Sequence, residues 1–229
     1  LRPQIKALKP DALMYTEPSG HLLRKSMDLN YNYDEQWLVT SLASPKARSK
    51  HGIRSGKELA MWMRDRDSLL PRGAMTAHHI DSHDTFWWPS WGIKWRREQF
   101  GIEMVRLLTC IFGSLPGPFM MFIGGEEGIQ ELLPKIASFK ESQEYKEGQV
   151  EWLVSPEVPD ELFGVSYRAA HVGQGRSILV NPSDKEVQFT IPTWMKSAKS
   201  ESIVGVTSAR DGKVVLNAHS AAIISHSEG

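Results

Sequence analysis

The sequence predicts an α/β region followed by an all-β antiparallel sandwich. Over residues 1–148, short apolar segments alternate with amphipathic helical segments, which is the pattern of successive βα units. After Gly148 this rhythm stops, and short strands follow one another, separated by Pro, Gly and Asp-Gly turns. We therefore predict two domains, at residues 1–148 and 149–229.

The α/β region contains four predicted strands, each followed by a polar loop. The strands are predicted at 12–15, 27–33, 74–80 and 119–123, and the main helices at 34–42, 57–69 and 100–112. The last strand, Phe119-Met120-Met121-Phe122-Ile123, is apolar throughout, which is typical of a strand buried on both faces of a parallel sheet. The β region has predicted strands at 151–154, 163–169, 177–181, 187–191, 203–206, 214–217 and 221–225.

The composition excludes several kinds of partner. The chain has 229 residues, of which 41% are hydrophobic and 24% charged, and this argues against extended disorder. Basic and acidic side chains number 27 each, so no overall charge draws the protein to nucleic acid or to an anionic membrane. The longest apolar stretch, 107–123, is interrupted by Gly and Pro and does not predict a membrane span. The single cysteine, Cys110, is predicted to be a buried core thiol.

Polar side chains accumulate where the predicted strands end. Active-site groups of α/β barrels and sheets lie at the carboxyl ends of the strands. In this chain those ends carry Glu17, Asn30, Asp81, His83, Asp84, Glu126 and Glu127. Two carboxylates at neighbouring strand ends suit glycosidic cleavage, because one protonates the leaving oxygen while carboxylate charge stabilises an oxocarbenium-like transition state. Glu17 and Asp84 are the candidates for this pair.

Two of these strand ends resemble motifs of the α-amylase family, glycoside hydrolase family 13. Leu13-Met14-Tyr15-Thr16-Glu17-Pro18 is similar to the strand-5 motif that bears the acid/base glutamate of that family, and His79-Ile80-Asp81-Ser82-His83-Asp84 is similar to its strand-7 motif. Residues 27–33 stand where the sixth strand is expected, and 118–128 resemble the eighth strand. The resemblance implies the second half, strands 5–8, of a TIM (β/α)8 barrel, followed by the C-terminal β-sandwich domain of the family.

The resemblance also implies a role for each matching residue. Glu17 would be the general acid/base and Asp84 the carboxylate that stabilises the transition state. His83 would donate a hydrogen bond to the sugar in the cleavage subsite, with Asp81 as a further substrate-binding residue. Because Glu17 follows an apolar strand, we expect partial burial to favour its protonated form, whereas Asp84 in a more polar loop stays ionised. The implied substrate is an α-glucan or oligosaccharide, cleaved at α-glucosidic bonds with retention.

One element of the family pattern is missing from these residues. The nucleophile of the family is an Asp in an Arg-x-Asp motif after strand 4, and no Arg-x-Asp occurs in this sequence. A complete barrel takes about 250 residues, and the first predicted strand here, at residue 12, matches strand 5. We therefore expect the nucleophile to lie in an N-terminal half outside this chain. Strands 12–15 and 119–123 would otherwise be open edges, so we predict that the N-terminal half, or a second copy of this chain, completes the barrel. The isolated chain is expected to be inactive.

Four tryptophans follow Asp84 closely, at positions 87, 88, 91 and 95. Indole rings stack well on the apolar faces of sugar rings. We predict that Trp87 and Trp88 bind substrate and that Trp95, which leads into a helix, anchors the loop. Tyr31 and Tyr33 could line the same cleft or pack between strand and helix, and packing is the prediction. Three basic residues of the same segment, Lys94, Arg96 and Arg97, are predicted to form a solvated patch.

Two alternative functions are compatible with the same residues. In a strand, His79, Asp81 and His83 would point to one side, and two imidazoles with a carboxylate could hold Zn²⁺ or Fe²⁺ in a metal-dependent hydrolase. The family resemblance favours no metal and no cofactor, because it also accounts for Glu17 and the sandwich. The other alternative is a catalytically inactive carbohydrate-binding or interaction protein that keeps the amylase-like scaffold.

Overall fold

The computed structural model describes residues 1–17, 21–31, 35–44, 52–70, 73–86 and 94–228. Its first part contains a parallel sheet of three short strands in the order β1 (Tyr15–Thr16), β2 (Leu29–Tyr31) and β3 (Met75–Ala77). All three strands lie within predicted strand segments or overlap them, and each is shorter than predicted. The carboxyl ends of β1, β2 and β3 consequently lie side by side at one edge of the sheet.

The predicted strand at 119–123 is reduced to a single parallel bridge between His78 and Phe119. The His78 N–H donates to the carbonyl of Pro118 at 2.9 Å, and the Met120 N–H donates to the carbonyl of His78 at 2.7 Å. Gly117 permits this close approach, because a Cβ there would lie 2.2 Å from the carbonyl oxygen of Thr76. The backbone leaves the strand conformation after His78, so the pairing does not extend beyond this one bridge. The segment still lies parallel and next to β3.

Helices surround this sheet. Their bounds are α1 (Arg2–Leu8), α2 (His21–Ser26), α3 (Glu35–Ala43), α4 (Gly56–Ser68), α5 (Arg96–Phe100), α6 (Ile102–Ser114), α7 (Leu133–Glu141) and α8 (Gln143–Glu147). The start of α4 is fixed by Ser55, whose hydroxyl accepts the N–H of Glu58 at 3.2 Å. The most apolar helix is α6, and Cys110 within it is fully buried as predicted, which raises the pKa of its thiol to about 12. No helix in the part of the chain that the structure describes is long and apolar enough to cross a membrane.

The β region forms two antiparallel sheets. The first has the strand order β4 (Gln149–Trp152), β5 (Phe163–Ala169), β6 (Gln174–Asn181), β11 (Ser220–Glu228), β8 (Met195–Val204). The second has the order β7 (Val187–Thr190), β10 (Lys213–Leu216), β9 (Thr207–Arg210). Every pairing in both sheets is antiparallel. Strand β9 was not predicted, because its sequence, Thr-Ser-Ala-Arg, is polar and largely exposed.

Alternation along the central strands gives the five-stranded sheet two buried faces. On β6, Ile178 and Val180 join the core that contains α4 and α6, whereas Leu179 joins a second core shared with the three-stranded sheet. On β11, Ile223 belongs to the first core and Ile224 to the second. The predicted sandwich is therefore present, and its larger sheet also packs against the helices of the α/β region.

Candidate active site

Three polar side chains meet at the carboxyl edge of the parallel sheet. Glu17 directly follows β1, whereas His83 and Asp84 lie in a single turn of 3-10 helix, His83–Phe86, beyond β3. One ligand atom from each of the three side chains lies within 4.8 Å of the other two. The two carboxylates predicted for catalysis thus share one site with His83. Its position follows from the topology, because parallel strands deliver their ends to the same edge.

Asp84 is held in place by its own turn and by a neighbouring strand. Its residue is 9% exposed, and its Oδ2 accepts a hydrogen bond from the hydroxyl of Tyr31 at 3.4 Å. The Asp84 N–H donates to Oγ of Ser82 at 3.2 Å, and Nε2 of His83 lies 3.6 Å from Oδ1 of Asp84. The polar loop expected around this carboxylate is therefore a turn in which Asp84 is buried and neighbouring groups fix the orientation of its carboxylate.

Glu17 differs from Asp84 in its exposure. Its side chain is exposed, so the partial burial expected from the preceding apolar strand is wrong for this chain. The reason is that β1 lies at the outer edge of the described parallel sheet and has a neighbour on one side only. The backbone is nevertheless fixed, because Nδ2 of Asn30 donates to the carbonyls of Thr16 at 3.2 Å and of Glu17 at 3.5 Å.

Tyr31, for which the sequence favours packing over lining the cleft, is a site residue. It does pack, being 1% exposed, with its ring centroid 4.5 Å from that of His79 and 6.3 Å from that of His83. Burial raises the pKa of Tyr31 above its ordinary value, so the phenol keeps its proton and can donate to Asp84. The available signal was its position, since Tyr31 follows Asn30 at the end of the middle strand of the sheet.

A buried ionic network lies beneath the site. Glu35, the first residue of α3, is fully buried, and its carboxylate contacts Nδ1 of His78, accepts the N–H of His79 at 3.0 Å, and lies 3.4 Å from the guanidinium of Arg66. Burial alone would raise the pKa of Glu35, but the three neighbours outweigh it and lower that pKa. Contacts therefore run from Glu35 through His79 and Tyr31 to Asp84.

The buried imidazole of His79 makes stability depend on pH. Burial lowers the pKa of His79 to about 4, whereas in the unfolded chain it should be about 6.5. The unfolded chain then binds more protons between these pH values, so stability falls as the pH drops from about 6.5 to about 4, by up to about 3 kcal/mol. Urea unfolding across this range should show the loss, and His79→Asn should remove most of that slope. An unchanged slope in the variant would assign the pH dependence to other groups.

Asp81 and Arg96 form a separate pair. Oδ1 of Asp81 accepts the N–H of Arg96 at 3.0 Å and so caps the first turn of α5. Burial raises the pKa of Asp81, and burial lowers the pKa of Arg96, whose side chain is fully buried. The prediction of a solvated patch is wrong for Arg96. Asp81 does not join the three residues at the sheet edge, and its predicted role in binding substrate stays a prediction.

The alternative metal set of His79, Asp81 and His83 is not formed. Among the described residues, Glu17, His83 and Asp84 are the only three whose possible ligand atoms come so close together. The prediction assumed that residues 79–83 continue the strand, but β3 ends at Ala77 and a 3-10 helix begins at His83. Alternation of faces therefore does not apply, and His79 packs against Tyr31 instead.

The aromatic loop is only partly described. Trp87, Trp88 and Trp91 lie outside the described residues, so their predicted stacking on sugar stays a prediction. Trp95 is confirmed as an anchor, with its ring centroid 4.7 Å from that of Phe86 and 5.9 Å from that of Phe122. Arg97 lies over the Trp95 ring at 4.4 Å and forms an ion pair with Glu127 at 2.6 Å. This pair ties the helix after the aromatic loop to the loop at 124–128.

The fold is shared with solved structures that include an α-amylase and a debranching enzyme. Amy13B from Eubacterium rectale matches 98% of this chain and 55% of its own length, with TM-score 0.73 and 12% identity. The noncanonic maltogenic α-amylase AmyB from Thermotoga neapolitana matches 100% of this chain and 57% of its own, with TM-score 0.73 and 15% identity. The Nostoc punctiforme debranching enzyme matches 97% of this chain and 52% of its own length, with TM-score 0.70 and 15% identity.

These likenesses show the fold, and the chain spans about half the length of each structure. No protein-family model matches the chain, and no curated protein does. The resemblance to the α-amylase family seen in the sequence is thus confirmed at the level of the fold.

Proposed function

We propose that this chain is the C-terminal part of an α-amylase-like glycoside hydrolase that cleaves α-glucosidic bonds with retention. In this proposal Glu17 protonates the leaving oxygen and then deprotonates the attacking water, and Asp84 stabilises the positive charge that develops on the sugar. The nucleophilic carboxylate comes from outside the chain. The observation that carries the proposal is the convergence of Glu17, His83 and Asp84 at one sheet edge in a fold shared with α-amylases.

The different surroundings of the two carboxylates support different roles. Asp84 is buried, and its carboxylate accepts a hydrogen bond from the Tyr31 hydroxyl. The orientation of the carboxylate is therefore set before substrate binds. Glu17 is exposed at the outer strand, where a proton donor can reach both the leaving oxygen and water. Once the proposed partner half covers this edge, the side chain of Glu17 should be shielded from solvent. His83, exposed beside Asp84, can donate to a sugar hydroxyl.

We further propose that the parallel segments are half of a (β/α)8 barrel. Four segments lie side by side in chain order, with β1 and 119–123 at the two outer positions. Large apolar side chains are exposed at both positions, including Leu13, Tyr15 and Ile123. Exposed apolar edges are poorly tolerated in isolated proteins, so a partner is expected to cover them. The proposed partner is the N-terminal half, with a second copy of this chain as the other possibility.

The partner requirement predicts how the chain behaves alone. The isolated chain should not hydrolyse α-glucan, and adding a polypeptide that supplies the other half should restore turnover. Ile123→Lys should weaken that restoration strongly, because Ile123 is 90% exposed at the proposed edge, whereas the control Val206→Lys, at a 64% exposed position in the β region, should not. Turnover by the isolated monomer would refute a nucleophile outside the chain. A monomer that is folded and insensitive to the added half would refute the partner.

A catalytically inactive carbohydrate-binding protein on the same scaffold remains the second candidate. The observation that favours it is the lack of an Arg-x-Asp motif in the chain. The two candidates differ in one measurement: both bind maltooligosaccharides when the partner is present, but only the enzyme releases new reducing ends.

A further inference from the structure

A cleft of about 630 Å³ lies between the β region and helix α4. Its walls come from the end of β4 and the following loop, from β7 with the loop that leads to β8, and from Arg64 of α4. It shares no residue with the group formed by Glu17, His83 and Asp84. The volume is within the range of small-ligand sites, about 300–1,000 Å³.

Two tryptophans line this cleft, and both rings are held by other contacts. The guanidinium of Arg168 lies over the Trp194 ring, 4.6 Å from the ring centroid. The His226 ring packs edge-to-face with the same indole, with 5.4 Å between the ring centroids. Trp152 lies in β4, which pairs with β5, and its ring meets that of Phe163 edge-on at 6.5 Å. Rings that are already oriented lose little conformational entropy when a ligand stacks on them.

The charged groups of the cleft are of both signs. Arg64 contributes a guanidinium, and Glu151 and Glu157 contribute carboxylates, all exposed to solvent in the cleft. Arg64 also forms an ion pair with Asp65 at 2.8 Å, and the charged groups together offer hydrogen-bond donors and acceptors beside indole rings. A neutral molecule with many hydroxyls and apolar C–H faces satisfies both features, and sugars combine them.

We infer that this cleft is a second, non-catalytic carbohydrate site that binds a short neutral oligosaccharide. The choice of an α-linked glucose oligomer as ligand rests on the proposed function. Such a site would hold a glucan chain on the β region while the sheet-edge site acts on another part of it. Binding in the cleft increases the effective concentration of polymer at the catalytic site. That gain is absent for substrates too short to reach both sites.

Binding of maltotetraose to the chain, with its partner half present, tests the inference by calorimetry. Glu17→Gln should leave binding at the cleft intact, whereas Trp194→Ala should weaken the affinity at this site about 10-fold. Trp194→Phe, which preserves core packing, should weaken it less, and Arg64→Ala should weaken it without touching the core. Trp37→Ala is the matched control, since Trp37 is an exposed tryptophan on α3 outside the cleft.

The outcomes separate the cleft from the proposed function. Weaker binding in Trp194→Ala and in Arg64→Ala, with a smaller effect in Trp194→Phe and none in Trp37→Ala, supports the site. Affinity unaffected by both cleft variants overturns it, even if Glu17→Gln abolishes hydrolysis. If maltotetraose fails to bind but the β-linked cellotetraose binds and depends on Trp194, the cleft is a carbohydrate site and the proposed α-glucan substrate is wrong.

Discussion

In the proposed glycoside hydrolase, with the chain completed by its partner half, Glu17→Gln should lower the hydrolysis of an unactivated α-glucan at least about 100-fold, because the amide cannot protonate the leaving oxygen. Asp84→Asn should be at least as damaging, since it removes negative charge where positive charge develops. The measurement is the initial rate of reducing-end release, with folding checked by circular dichroism. Both variants should fold, because Glu17 is exposed and the Asn side chain can still accept from the Tyr31 hydroxyl.

Glu127→Gln is the matched control for these two changes. It also removes a carboxylate from a loop after a parallel segment, but Glu127 forms an ion pair with Arg97 and is not part of the convergent group. It should retain most of the activity. Undiminished turnover in Glu17→Gln would remove that residue from the proposed mechanism, and an active Asp84→Asn would do the same for Asp84.

Glu35→Ala should destabilise the protein by about 3–5 kcal/mol, because it removes the carboxylate that contacts the buried His78 and His79 and pairs with the guanidinium of Arg66. Glu35 is fully buried between His78, His79 and Arg66. Chemical unfolding of the chain with its partner gives the free energy. Where the variant remains folded, its turnover should also fall, since the contacts from Glu35 reach Asp84 through His79 and Tyr31.

Glu131→Ala provides the comparison for Glu35. Glu131 pairs with Arg106 at 2.6 Å, but its side chain is 52% exposed, so the loss should be below about 1 kcal/mol. Equal effects of the two substitutions would show that burial does not strengthen the Glu35 network.

The sequence predicts that Glu17 and Asp84 come together, because this follows directly from the order of the parallel strands. Glu17 directly follows β1 and Asp84 lies in the turn beyond β3, and parallel strands bring the segments after them together. The burial of Glu17 could not be predicted in the same way, because it depends on what lies beyond β1. The network around Glu35 was missed because its partners are 31 and 43 residues away along the chain.

Strand prediction from the local sequence pattern also failed where the backbone does not keep the strand conformation. Residues 79–83 carry His, Asp and His at every second position, which would place them on one face of a strand, but β3 ends at Ala77 and a 3-10 helix begins at His83, so His79 and His83 take different roles. In the same way, 119–123 has the composition of a buried strand, yet it forms one bridge, since the neighbouring strand β3 ends at Ala77 and the backbone leaves the strand conformation after His78. The exposed sequence of β9 gave no apolar signal at all.

The central claim, that Glu17 is the acid/base of a retaining mechanism, is tested most directly by chemical rescue. Glu17→Ala, completed by its partner half, is given an aryl α-maltoside whose leaving group needs no proton, together with sodium azide. Azide needs no general base, so it should replace water at the glycosyl-enzyme and raise the rate. We predict α-maltosyl azide as the product by NMR. A rate independent of azide, or a β-configured product, would contradict the role given to Glu17.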